Sequence, residues 1–254
     1  MPMSSEPKKR KGRIHKGNSD FRLSLFVVLF MALSMVATVM VGNDGLTLGK
    51  IPMPVLTVAV LCEAASWMAL PLVAWLFLDH YENWGLKPRY VGFLLALGLI
   101  CEPLYDYVSS GTWVDLRSQN PVLALAVCAF VLAIWDWLGR FESFTRWIWR
   151  IIAVIIGLTW IFVFRLGFRQ ELLYQGISLL GFVLIFRALG DKENTMTYAA
   201  GVWGALGMLM PGIGVLFIHA RNDEECYPHP FFRWMLFFAY PLLLVAFALI
   251  RFAM

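Results

Sequence analysis

Carboxylates, amides and a guanidinium crowd into one stretch of this sequence, LICEPLYDYVSSGTWVDLRSQNPVLAL at Leu99 to Leu125. Glu102 and Asp106 are four residues apart and share one face of a helix. Pro103 between them removes a backbone hydrogen bond, which lets a helix bend and frees polar backbone there. A carboxylate so placed can orient or deprotonate a hydroxyl or an amine. Gln119 and Asn120 can donate hydrogen bonds to a developing oxyanion, and Arg117 can hold an anionic acceptor. The other reading is that both acids lie at lipid headgroup level, where charge is cheap.

The remaining candidates are scattered. Glu63 lies about ten residues into an apolar segment, which is about 15 Å of helix and close to mid-membrane. An acid at that depth faces a cavity or a partner, or is a carboxyl satisfied by a neighbouring helix. Of the four histidines, His15 is in the basic tail, His80 follows Asp79 at a helix end, and His229 lies between two prolines. His219, with Arg221 and Asp223, is expected on the same side of the membrane as Glu102 and Asp106, which makes it the imidazole placed to act as base. His80 reads as a solvated helix-end residue. Cys62, Cys101 and Cys128 fall in apolar runs and Cys226 in a polar loop, with no CxxC or Cys/His metal spacing. The run GALGMLMPGIG at 204–214 suits close helix packing or a broken helix beside a cavity, and is no phosphate loop. Trp113, Trp147, Trp149, Trp203 and Trp234 fall where an interfacial belt belongs.

The elements that must position these groups are membrane helices. The chain has 254 residues, 60% hydrophobic and 15% charged, with a mean hydropathy of +0.69; soluble domains carry about 25% charged residues. Taking about 20 apolar residues per crossing, eight helices are predicted near 21–42, 54–78, 90–108, 119–139, 147–166, 171–189, 196–218 and 231–252. The first apolar run is too long for a cleavable signal peptide. Residues 1–20 read as a basic, disordered cytoplasmic tail and 21–254 as a single transmembrane domain. The net charge of +4 is mostly that tail and implies no nucleic-acid partner; KKRKGRIHK at 8–16 is a topology signal or an anionic-lipid contact. Of the 21 Lys and Arg residues, an N-terminus-inside topology puts 15 inside and 6 outside, which predicts both termini in the cytoplasm. Arg165, Arg169 and Glu171 crowd a tight hairpin between the fifth and sixth helices.

The central stretch resembles the TraX family of membrane proteins, named for the conjugal pilin acetylase. That family's Ser-Glu-x-Pro-(Phe/Tyr)-Asp helix end is similar to Cys101-Glu102-Pro103-Leu104-Tyr105-Asp106 here, and its Gln-Asn helix opening to Gln119-Asn120-Pro121-Val122. Pro71, the segment Tyr174-Gln175-Gly176 and the ending Phe237-Phe238-Ala239-Tyr240-Pro241-Leu242 resemble further family positions. The resemblance implies a multi-helix fold and acyl transfer, with acyl-coenzyme A (acetyl-CoA) as donor. The acceptor would be a protein, glycan or lipid at the cell envelope, reached from the cell membrane. Glu102, Asp106 and His219 would be catalytic, and Glu63, Arg117, Gln119, Asn120 and Tyr174 substrate-binding. The chain departs from the family where Leu243 replaces a histidine after Tyr-Pro and where 31–42 lacks an Asp-His pair. Two other functions fit the residues: a scaffold that keeps the fold and assists a membrane protein partner, and a small transporter or lipid-handling protein in which Glu63 binds a proton or cation.

Overall fold

A computed structural model describes residues 17–41, 51–83, 87–169, 173–207, 209–222, 227 and 229–253. Most of the predicted tail, with Lys50, Glu171, Asp223 and Cys226, lies outside the described residues. The fold is an all-α bundle. Its helices are α1 (Asp20–Val41), α2 (Met53–Ser66), α3 (Ala69–Asn83), α4 (Lys87–Ser110), α5 (Pro121–Trp137), α6 (Ser143–Val163), α7 (Gln175–Leu189), α8 (Glu193–Gly207), α9 (Leu209–His219) and α10 (Met235–Ala253). The only strands among the described residues are two-residue pieces, β1 (Phe168–Arg169) and β2 (Leu173–Tyr174), paired antiparallel. Six helical segments are long and apolar enough to cross a membrane: α1, the 31-residue run of α2 and α3, α4, α5 with the helical turn after it, α6 and α10. The protein is a multi-pass membrane protein.

Burial separates inner from outer helices. α3 buries nearly every residue from Ala69 to Leu78, and α5 and α7 bury residues around much of their circumference. Outer helices bury one stripe each at i, i+4, i+8: Ala153, Gly157 and Ile161 in α6, and Tyr240, Leu244 and Ala248 in α10. Their other faces are apolar and exposed, as a lipid-facing surface must be.

Hydrogen bonds and ion pairs define two ends. At the basal end, Asn18 N–H donates to Ala220 O (2.9 Å) and Asn222 N–H to Asn18 O (2.8 Å). There too Arg187 of α7 bridges Glu82 of α3 (2.7 Å) and Asp136 of α5 (2.8 Å). At the far end Arg251 of α10 donates to Val108 O of α4 (2.6 Å).

Two predicted helices are broken. The second splits at Trp67–Met68, where the hydrogen bonds shorten to the i, i+3 type. The seventh, 196–218, is two helices that fold back on each other. A Cβ at position 204 would lie 2.5 Å from the Gly212 nitrogen, a contact open only to glycine. The reversal brings the end of α9 back to the start of α8, with His219 Nδ1 3.8 Å and Arg221 3.7 Å from Glu193.

The hairpin overturns the predicted topology. Everything after residue 219 changes ends: Asn222 lies at the basal end, and α10 runs from there to the far end. The first and last described residues are therefore at opposite ends of the bundle, and not on one side as predicted. The charge rule read a Gly-rich apolar run as one crossing because composition alone does not distinguish a crossing from a return. With Arg221 and Arg233 at the basal end and Arg251 at the far end, the 14 Lys and Arg among the described residues divide 10 to 4, still one-sided.

Candidate functional site

The site is built where α4 ends and α5 begins. Asn120 is the N-cap of α5, with Pro121 behind it in the first turn, the preferred chemistry for a helix start. Its Oδ1 accepts from Val122 N–H (2.8 Å) and from the Tyr240 hydroxyl of α10 (2.9 Å), while Nδ2 donates to Gly98 O of α4 (3.4 Å). Asn120 is fully buried, so a single amide ties three helices together. Glu102 meets Asn120, but through the backbone: both carboxylate oxygens lie 3.2 Å from the Asn120 N–H. An acceptor there also suits the positive end of the α5 dipole.

Asp106 is 3% exposed. Its Oδ2 accepts the Asp115 N–H (2.9 Å), which pins the loop between α4 and α5. Its Oδ1 is buried with no hydrogen-bond partner among the described residues. Arg117 makes a two-pronged contact with Asp115 (Nε–Oδ1 3.0 Å, Nη2–Oδ2 2.8 Å). That guanidinium holds the Asp115 carboxyl below the usual carboxylate range. The Gln119 side chain donates to the Asp115 carbonyl, at 3.5 Å. Among the described residues no hydrogen bond joins Asp106 to Gln119 or Asn120.

The connection after α6 clamps the same corner. Gln119 N–H donates to Arg165 O (3.1 Å) and Gly167 N–H to Gln119 O (2.8 Å). Arg165 adopts φ +53° and Gly167 φ +63° to make this turn, unusual for a residue with a side chain. The predicted tight hairpin is thus a small β-turned loop. Tyr174, at the start of α7, is exposed and packs edge-on against Phe168; its neighbour Gln175 points inward.

Inside the bundle, α1, α2, α3, α4, α5, α7 and α10 surround a cavity of about 120 Å3. Its wall is mostly apolar but carries the hydroxyls of Ser34, Thr38, Ser66, Tyr105, Ser109, Ser118 and Tyr240. Three of these hydroxyls donate back to their own helices: Thr38 to Ser34 O (2.9 Å), Ser66 to Glu63 O (2.6 Å) and Ser109 to Asp106 O (3.1 Å). With their protons so engaged, they offer lone pairs. Tyr105 and Ser118 pair with each other at 3.2 Å. A smaller cavity of about 60 Å3 continues toward the basal end and shares Met31, Val73, Val122, Leu125 and Tyr240. His80 lines it. Its Nδ1 is 2.8 Å from Leu76 O; a carbonyl only accepts, so Nδ1 carries the proton and the basic lone pair is on Nε2.

The predicted residues therefore separate. Glu102, Asp106, Arg117, Gln119 and Asn120 gather at one corner, bonded to backbone groups, to Asp115 and to Tyr240, and none of them lines this cavity pair. Glu63 is 6% exposed and accepts from Trp67 Nε1 (3.2 Å); its neighbours Ser66 and Ala69 line the cavity and it does not. His219, expected beside Glu102 and Asp106, is at the opposite end because α9 returns, and lies 3.4 Å from Thr197 Oγ1. Missed were His80, Tyr240, Gln175 and the serines. The sequence signal for them was slight: a histidine one turn from a helix end, and hydroxyls at helical spacing in apolar runs. Comparison of the chain with protein-family models, curated proteins and solved structures finds no match.

Proposed function

We propose that this protein is a TraX-like acyltransferase of the cell membrane. It would move a short acyl group from acyl-CoA at the basal end to a hydroxyl- or amine-bearing envelope acceptor at the far end. The observation that carries the reading is the pair of adjoining cavities, one lined by His80 and the other by Ser109 and Ser118, with Met31, Val73, Val122, Leu125 and Tyr240 between them. An apolar cavity of about 150 Å3 holds a benzene-sized molecule, so 120 Å3 suits a short acyl group and not a long chain. Hydroxyls that present lone pairs favour a ligand that donates, as an alcohol or amine does. The basic end, with 10 of the 14 Lys and Arg among the described residues, suits the cytoplasm and a polyanionic donor. In the reaction the acceptor oxygen or nitrogen bonds the thioester carbonyl carbon and its proton passes to His80 Nε2, the carbon–sulfur bond breaks, and the coenzyme A thiolate takes that proton and leaves as the thiol. Asn120 positions Tyr240, which borders both cavities.

A second reading, a non-catalytic scaffold for a membrane protein partner, is favoured by one observation: Glu102 and Asn120 of the motif are engaged with backbone N–H groups and with the Tyr240 hydroxyl. Mass spectrometry of envelope lipids, glycans and surface proteins separates the two. Cells lacking the gene should lose one acyl mass, and His80→Gln or Ala69→Phe, which crowds the cavity, should not restore it. Full restoration by both variants would overturn the acyltransferase and leave the scaffold.

A further inference from the structure

On the outer surface, α4, α5 and α6 leave a groove of about 700 Å3, far larger than the buried cavities. Leu123, Val127 and Phe130 of α5 form its floor, with Leu95 of α4 and Trp160 and Val163 of α6 as walls. The wall residues are 44%, 44% and 63% exposed, so the groove opens to the surroundings of the bundle. From Phe130 to Gln119 is eleven residues, about 16 Å at helical rise. One leaflet of bilayer hydrocarbon is about 15 Å thick. The groove is thus one leaflet deep and ends at the far end of the bundle.

Its two ends differ. The deep end is wholly apolar, whereas the mouth carries Gln119, with Arg117 next to the lining residue Leu116 and Arg165 next to the lining residue Phe164. The two loops bearing these arginines are fastened by the bond from Gln119 N–H to Arg165 O (3.1 Å). Arg117 also holds Asp115 and stays 58% exposed. The two loops at the mouth of the hydrocarbon slot thus each carry an arginine, a side chain suited to a phosphate; the Arg165 guanidinium lies 5.0 Å from the centre of the Phe168 ring. A transmembrane helix seats best on small residues, and these walls carry Leu, Trp and Val.

We propose that this groove binds one acyl chain of a bilayer phospholipid, with its phosphate held between Arg117 and Arg165. The site stands apart from the cavity pair, and the proposal holds whether or not the chain transfers acyl groups.

Native mass spectrometry of the full-length chain tests it, with the protein released from micelles containing phosphatidylglycerol, phosphatidylethanolamine or diacylglycerol. One phospholipid of either headgroup should be retained, and diacylglycerol should not. Leu95→Trp and, independently, Val163→Trp fill the groove from exposed wall positions and should each lower retention about tenfold. Arg117→Gln with Arg165→Asn, the asparagine tolerating the positive φ, should lower it as much. Three results would overturn the proposal: undiminished retention in both tryptophan variants, diacylglycerol held as firmly as phospholipid, or disulfide-linked pairs of Leu95→Cys chains in membranes, which would make the groove a contact between copies.

Discussion

Replacing Asn120 by alanine removes a hydrogen-bonding centre of three helices, and the size of the effect follows from what each partner loses. Val122 N–H loses its cap, worth about 1 kcal/mol at a helix N-terminus. The Tyr240 hydroxyl, on a residue 6% exposed, loses its acceptor, and a buried donor so abandoned costs about 1–3 kcal/mol. The Gly98 contact, at 3.4 Å, adds little. The expected loss is about 2–4 kcal/mol. Tyr240→Phe should cost less, about 1 kcal/mol, because Asn120 Oδ1 keeps the Val122 N–H. Each pair can be measured by SDS-driven unfolding of the reconstituted protein, followed by circular dichroism. The double variant should recover a coupling of about 0.6–1.7 kcal/mol, the range found between membrane helices. Zero coupling, or an Asn120→Ala protein as stable as wild type, would show that this amide does not join α10 to the α4–α5 corner.

The remaining expectations concern the hairpin and its consequence. Gly204→Leu should abolish folded protein in detergent size-exclusion, since even a Cβ there meets the Gly212 backbone at 2.5 Å, whereas Gly201→Ala, with nothing within 4 Å, should behave as wild type; equal yields would refute the close α8–α9 packing. Single cysteines at Ser110 and Asn222 should label from opposite sides of the membrane with an impermeant reagent, and labelling of both from one side would refute the return of α9.

How much of this was legible beforehand differs by level. Six of the eight predicted segments meet helical runs long and apolar enough to cross a membrane, one of them split at Trp67–Met68, and 171–189 meets the shorter α7, because apolar runs of about 20 residues have few other solutions in a membrane. The exception, 196–218, contains Gly201, Gly204, Gly207 and Gly212, and such a run is equally apolar as one long helix or as two short ones folded together. Only the glycine spacing hinted at the backbone contact. The chemistry-bearing corner was found by its charges, but their partners were not foreseeable: Glu102 and Asp106 accept from backbone N–H groups of Asn120 and Asp115, and backbone donors leave no mark in a sequence. The cavity was less visible still, since its hydroxyls are spread over α1, α2, α4, α10 and the α4–α5 loop and meet only in the folded bundle.

Glu102→Gln separates a positioning role from a chemical one at the centre of the TraX-like motif. Both Glu102 oxygens lie 3.2 Å from one N–H, so a single oxygen suffices to hold the start of α5. Glutamine keeps that oxygen and nearly the same shape, and the variant should lose no more than about 1 kcal/mol. Glu102→Leu removes the acceptor altogether, strands the Asn120 N–H in a part-buried place, and should cost about 1–3 kcal/mol. If Glu102 acts by fixing the helix that carries Asn120, and through it Tyr240 at the cavity wall, the envelope acyl mark should survive glutamine and fail with leucine. A carboxylate that takes a proton from the acceptor behaves otherwise, because an amide does not serve as a base at neutral pH. Loss of the mark in a Glu102→Gln protein that unfolds at the wild-type SDS concentration would therefore place the chemistry at this corner, and would remove His80 from the proton-accepting role.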